Sequence, residues 1–156
     1  MKQMTRRQIL GTLSLVTVAG WRAGAQALPT VQIYKDPTCG CCAIWVEHLR
    51  KAGFTTKVTD VDDMAAIKTK YGVPSRVGSC HTALVGGVGG YVVEGHVPAA
   101  DVQRLLKERP AIVGIGVPGM PIGSPGMEVA GVKPQPYDVL SFDKTGNTRV
   151  FASYGR

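Results

Sequence analysis

Three of the four cysteines in this 156-residue chain fall within four positions, Cys39-Gly40-Cys41-Cys42. Thiols packed that densely have two chemistries open to them. Thiolates are soft ligands that select Cu(I), Zn or iron–sulfur clusters, and a pair spaced like Cys39 and Cys42 can run thiol–disulfide exchange. The purely structural alternative is a local disulfide with a spare thiol. Such a bridge closes almost no loop, whereas a stapling disulfide gains most by closing a long one. The spacing therefore reads as a working site. Asp36-Pro37-Thr38 reads as a turn that offers Asp36 or Thr38 as an N-cap oxygen before a helix-like run over 43–52. At a helix N-terminus the dipole and the free backbone N–H groups favour thiolate.

The other residues able to bind a soft metal are scattered: Cys80, His81, His96, Met120 and Met127. Only a fold can gather them. A short apolar strand over 31–34 precedes the cysteines. The helix after them places Trp45, His48, Leu49 and Ala52 at i, i+3, i+4, i+7 and stops at Gly53. A β-branched strand is expected over 55–61. Next comes a helix capped by Asp62 or Asp63, with Met64, Ile67 and Tyr71 on one face and Gly72 at its end. Two strands at 82–85 and 91–94 flank a Gly-rich turn and read as a hairpin. Pro98 opens a third helix with Val102, Leu105 and Leu106 inward, and Pro110 stops it. The order β-α-β-α-β-β-α is that of the thioredoxin-like α/β fold.

That topology makes a placement argument. The first strand ends at the sheet edge where Cys39–Cys42 sit. The third strand would start at the same edge, just after Cys80-His81, and the fourth would return to it at Gly95-His96. The remaining histidine, His48, lies about 10 Å along the helix from Cys41, too far to share a metal, and reads as a polar residue of the helix face. Each candidate keeps a plainer reading. Cys80 can be a small buried residue or the disulfide partner of one of the three. His81 can face solvent. His96 can bond the start of the third helix.

After Pro110 the composition changes. Residues 114–136 are rich in Gly and Pro and include Met120-Pro121-Ile122-Gly123-Ser124-Pro125-Gly126-Met127. A long loop of this kind in a compact domain is usually functional or disordered. Thioethers are soft Cu(I) ligands that cannot form disulfides, although core packing is an equal reading for each methionine. Residues 137–142 and 148–154, around Asp143-Lys144-Thr145-Gly146-Asn147, read as a closing β-hairpin.

The first 27 residues read as an export address rather than as part of the fold. Residues 1–7 are basic, 9–19 are apolar but too short to span a bilayer, and Ala25-Gln26-Ala27 fits a cleavage site. Thr5-Arg6-Arg7-Gln8-Ile9-Leu10 resembles a twin-arginine export signal. A single domain over 28–156, released into the periplasm after Ala27, is expected, with no membrane attachment once the signal is removed. Four of the 18 basic residues and none of the 11 acidic ones precede Leu28, leaving 14 against 11 and a net charge of +3. That mild charge, with no basic stripe interleaved with aromatics, excludes nucleic-acid binding. The periplasm is oxidising, so thiols there need a metal or a reducing partner to stay reduced.

Cys39-Gly40-Cys41-Cys42, Ser79-Cys80-His81-Thr82, Glu94-Gly95-His96-Val97-Pro98 and Gly119-Met120-Pro121 with Gly123-Ser124-Pro125-Gly126-Met127, in this order, resemble the periplasmic metal-binding family that includes the CopG-type copper-resistance proteins. The resemblance covers residues 31–154. It implies a thioredoxin-like domain that binds several copper ions through the cysteine motif, with zinc a lesser candidate and periplasmic copper-handling proteins as possible partners. Together with the placement argument and the soft-ligand chemistry of the loop methionines, the metal ligands expected are Cys39, Cys41, Cys42, Cys80, His81, His96, Met120 and Met127. The competing reading is a periplasmic thiol–disulfide oxidoreductase using Cys39 and Cys42. Such enzymes of this fold carry a proline just before the third strand, where this chain has His81-Thr82, and Cys41 inside the pair invites wrong disulfides.

Overall fold

A computed structural model describes residues 27–87 and 89–156. The expected export segment therefore lies outside the described residues, apart from Ala27. The strands are β1 Val31–Lys35, β2 Thr56–Asp60, β3 His81–Val85, β4 Tyr91–Glu94, β5 Gly114–Gly116, β6 Tyr137–Phe142 and β7 Thr148–Tyr154. The helices are α1 Gly40–Lys51, α2 Met64–Lys70 and α3 Ala99–Glu108. The strands form one sheet in the order β2-β1-β3-β4-β5-β6-β7. β1 runs parallel to β2 and antiparallel to β3, and β4 runs antiparallel to β3 and parallel to β5.

Period-2 alternation decides which strand residues go inward. Val31, Ile33, Ala83, Val85, Val93 and Ile115 share one buried cluster with Trp45 and Leu49 of α1 and Val102 and Leu105 of α3. Their neighbours Leu84 and Val92 join the other face, with Val77, Phe142 and Tyr71. Each large side chain removed from water here contributes roughly 1.5–3 kcal/mol. Trp45 is fully buried and places its indole N–H 2.8 Å from the Val97 carbonyl. That bond satisfies its one polar atom and ties α1 to the turn before α3.

Two local readings need correction. The first helix begins at Gly40 with Cys39 at the N-cap position, and no side chain caps it. Asp36 instead accepts from the Thr38 backbone N–H (2.7 Å) and hydroxyl (2.5 Å), closing a turn on itself, as short polar side chains do. For α2, Asp63 is the one of the two expected caps that serves, accepting from the Ala66 N–H at 2.9 Å. The second correction is β5, which lies within the stretch expected to be loop. Its glycines permit close approach, because a Cβ at Gly114 would sit 2.1 Å from the Val92 carbonyl oxygen and one at Gly116 2.4 Å from Val77. The lack of side chains that hid the strand is what lets it pair. β5 joins the β6–β7 hairpin to the sheet. Among the described residues no helix is long and apolar enough to cross a membrane.

Candidate metal centre

The register of the sheet assembles the centre. Lys35, the last residue of β1, pairs with His81, the first of β3. Thr82 pairs with Glu94, the last residue of β4. The cysteine motif, Cys80-His81 and Gly95-His96 thus meet at one sheet edge, as the topology argument requires. The Sγ atoms of Cys39, Cys41, Cys42 and Cys80 all lie within 4.8 Å of one another, and Cys80, His81 and His96 form a second such group that shares Cys80.

Cys80 Sγ is 3.0 Å from His96 Nε2 and 3.3 Å from His81 Nδ1. His96 Nδ1 is 2.8 Å from the Pro125 carbonyl oxygen. A carbonyl only accepts, so Nδ1 carries the proton and Nε2 turns its lone pair toward Cys80. Backbone from the Gly/Pro loop thereby fixes the imidazole in the form that binds metals. Both histidines are fully buried, which corrects the solvent-facing reading of His81. His81 lies against Trp45 with ring centroids 4.2 Å apart, and its Nε2 has no hydrogen-bond partner. Nδ1 is the His81 nitrogen that faces the Cys80 thiol, and a buried ring whose other nitrogen is left unpartnered suits a site built for a ligand better than one built for stability.

Cys39 and Cys42 form a disulfide, while Cys41 and Cys80 are free. The local bridge disfavoured on loop-entropy grounds is present, and Cys80 is not its partner. Cys41 Sγ lies 3.5 Å from Cys39 Sγ and 3.9 Å from the sulfur of half-exposed Met120. Met127 differs, because the structure anchors its backbone: its N–H donates to Ser124 and its carbonyl accepts from Gly123. The loop does return to the centre. Ser79 donates its hydroxyl to the Gly119 carbonyl, and Gly126 lies so close that a Cβ would sit 3.0 Å from Trp45 N and 3.3 Å from His96 Nδ1.

Burial sets the protonation states. It pushes the Cys80 thiol up to about 12, with Cys41 adding to the effect. Burial also holds His81 well below the usual imidazole range, helped by His96 and Lys68. His96 is lowered by burial too, against the opposing pull of the Pro125 carbonyl and Glu128. Neutral imidazoles are ready ligands, whereas Cys80 gives up its proton only when a cation replaces it.

Two features escaped the sequence reading. His48 bonds the start of α3: its Nε2 accepts from the Ala99 N–H at 3.0 Å, the role considered for His96. Glu94 is completely buried and binds three groups around the Cys80 segment. The sequence signal for it was an acidic residue closing an otherwise apolar strand, Tyr91-Val92-Val93-Glu94.

Residues 77–127 match the family described as a protein of unknown function, DUF411. Two solved structures of a copper resistance protein, CopG, in forms 1 and 2, are each 43% identical to this chain, with a TM-score of 0.75. The first match covers 83% of this chain and the second 82%, and each covers 99% of the solved chain. This chain belongs to the CopG family of copper resistance proteins. No curated protein matches it. The DUF411 segment of this CopG-family chain carries Cys80, His81, His96, Met120 and Met127. The disulfide motif lies outside that segment and reaches it through the β1–β3 pairing.

Proposed function

We propose that this CopG-family protein is an exported copper-binding protein whose sheet-edge centre takes more than one Cu(I) ion, serving copper handling or resistance in the periplasm. One observation carries the reading: a four-sulfur group and an imidazole pair share the Cys80 sulfur. Thiolates that lie so close together can bridge soft cations, and Cu(I) prefers sulfur. Cys39, Cys41, Cys42 and Cys80 would be the principal ligands, with His96 and His81 on the inner side. Met120, already beside Cys41, would be a weaker, neutral donor, and Met127 another. The strand order around β1, β3 and β4, with helices following β1, β2 and β4, supports a thioredoxin-like domain extended by β5 to β7. Residues 1–27 support export, and periplasmic copper-handling proteins are the natural exchange partners.

Copper loading requires chemistry at the disulfide first. Two electrons and two protons from a dithiol convert the Cys39–Cys42 bond to two thiols, leaving the donor as a disulfide. Each thiol then loses its proton as it takes metal. The disulfide itself favours the second reading, a thiol–disulfide oxidoreductase using Cys39 and Cys42. Against it stand His81-Thr82 at the start of β3, and the Cys41 thiol 3.5 Å from Cys39, close enough to scramble the pair. Titration of the reduced protein with Cu(I) against a competing chelator separates the readings. More than one tightly held ion per chain, retained in excess Zn(II), supports copper binding. One ion or fewer, or displacement by zinc, overturns it.

A further inference from the structure

Glu94 has no exposed surface, yet it carries a carboxyl group, at the end of β4. Its Oε1 accepts from the Lys68 ammonium of α2 at 2.5 Å and from the Ser79 backbone N–H at 2.7 Å. Its Oε2 accepts from the Thr82 hydroxyl at 2.7 Å. Lys68 also reaches the Thr82 hydroxyl, at 3.2 Å. The network therefore grips the chain on both sides of Cys80-His81, at positions 79 and 82, from a residue two places before His96. A buried ion pair is poor evidence for stability, because apolar residues of equal volume often do as well or better. Here the Glu94 bonds to Ser79 and Thr82 tie the start of β3 to the end of β4, the two strand ends whose separation sets how far Cys80 stands from His96.

We propose that Glu94 is the positioning residue of the metal centre, its carboxylate clamping the 79–82 segment to the end of β4 so that Cys80 and His96 share one metal, with Lys68 as its counter-ion. The inference rests on the copper-binding reading for its functional meaning but not for its geometry. Glu94 belongs to neither metal-ligating group, and both its oxygens already accept from protein donors. The clamp works through hydrogen bonds, so neutral groups of the same shape can replace the charges. In a Glu94→Gln/Lys68→Met double variant the glutamine carbonyl can still accept from Ser79 N–H and its amide can donate to the Thr82 hydroxyl. Glu94→Gln alone leaves the Lys68 ammonium without its partner carboxylate and disturbs the clamp.

The test compares reduced wild type, Glu94→Gln, Glu94→Gln/Lys68→Met and Thr82→Val by Cu(I)–chelator competition, at a temperature where each metal-free form is folded. Leu105→Ala, a core truncation in α3 away from the clamp, controls for lost stability. The expected result is at least a tenfold loss of Cu(I) affinity in Glu94→Gln and a smaller loss in Thr82→Val. The double variant and Leu105→Ala should both stay within threefold of wild type. Nitrogen-15 spectra of the His96 ring in the metal-free proteins report the same clamp without copper, and should shift in Glu94→Gln and recover in the double variant. Wild-type affinity and an unmoved His96 signal in folded Glu94→Gln overturn the proposal. Should Glu94→Gln fail to fold, an unchanged Thr82→Val in both measurements overturns it. A wild type that binds no copper while the His96 signal still moves refutes the copper reading and leaves the clamp standing.

Discussion

The Cys80 sulfur lies 3.0 Å from Nε2 of His96, a residue sixteen positions away along the chain. The β3–β4 hairpin creates this contact, and a carbonyl from a third segment, Pro125, selects the His96 tautomer that faces the thiol. A soft sulfur and an oriented imidazole, held together before any metal arrives, cost little to organise on binding. Cys80→Ser and His96→Ala should each lower Cu(I) affinity at least tenfold, since ligands or their orienting partners typically matter by 10–100-fold. Met120→Ala and Met127→Ala should cost less, because thioethers are neutral donors. Chelator competition ranks the four, and a methionine variant worse than Cys80→Ser would contradict the ligand order.

His48 should behave differently. It accepts the first backbone N–H of α3, the service an N-cap side chain performs, and losing such an acceptor costs about 1 kcal/mol. Denaturant unfolding of His48→Ala should show that loss, with copper stoichiometry and affinity unchanged. Impaired copper binding in a folded His48→Ala protein would show that the helix carries more of the centre than its geometry indicates.

Gly126 has φ +88°, and an added Cβ would meet Trp45 N at 3.0 Å and the Cys41 carbonyl at 3.1 Å. Alanine there carries a left-handed penalty of about 1–2 kcal/mol and must lift the loop from the backbone beneath it. Gly126→Ala should therefore lose the bond between Pro125 and His96 and weaken copper binding along with stability. The His96 ring nitrogen shifts check the first effect directly. An unchanged ring signal would mean that the loop does not set the tautomer.

The metal-free protein should be most stable between about pH 7 and 8.5. His81 and His96 have folded pKa values held below the usual 6.5. The unfolded chain thus binds more protons below that pH, and stability falls as pH drops, by up to about 1.4 kcal/mol per pH unit for each histidine. Cys80 works in the opposite direction. Its thiol is raised from 9.0 to about 12, so the unfolded chain loses that proton first and stability falls as pH rises above about 9. Urea midpoints across pH should trace this dome, and Cys80→Ser should lessen its fall between about pH 9 and 10, above which Tyr137 and Tyr154, also raised by burial, add to it. A midpoint still rising at pH 10 in wild type would contradict the burial of the thiol.

The strands and helices were largely legible in the sequence because period and punctuation agree. Val31 and Ile33 alternate with polar neighbours, Trp45 and Leu49 repeat at helical spacing, and Gly53, Gly72 and Pro110 mark element ends. The convergence of Cys80 and His96 on the cysteine motif followed from strand order alone. What escaped detection depends on long-range partners. β5 was invisible because Gly114 and Gly116 carry no hydrophobic signal, their absent side chains being the condition for packing under Val92 and Val77. Glu94 gave no sign that its partners would be Lys68, Ser79 and Thr82, contributed by other elements. The Cys39–Cys42 bridge closes too short a loop for a stability argument to foresee it, and it lies within the sulfur cluster.

On the proposed function, one centre gathers sulfur from Cys39, Cys42 and Cys80 around more than one copper ion. Copper K-edge X-ray absorption on the reduced, Cu(I)-loaded protein reads that shell. A first shell dominated by sulfur, with a minor imidazole component and a copper–copper scattering path, is expected. Cys80→Ser should lose sulfur scatterers and weaken that path. A shell of nitrogen and oxygen, or isolated copper with no second metal nearby, would rule out a shared multinuclear centre.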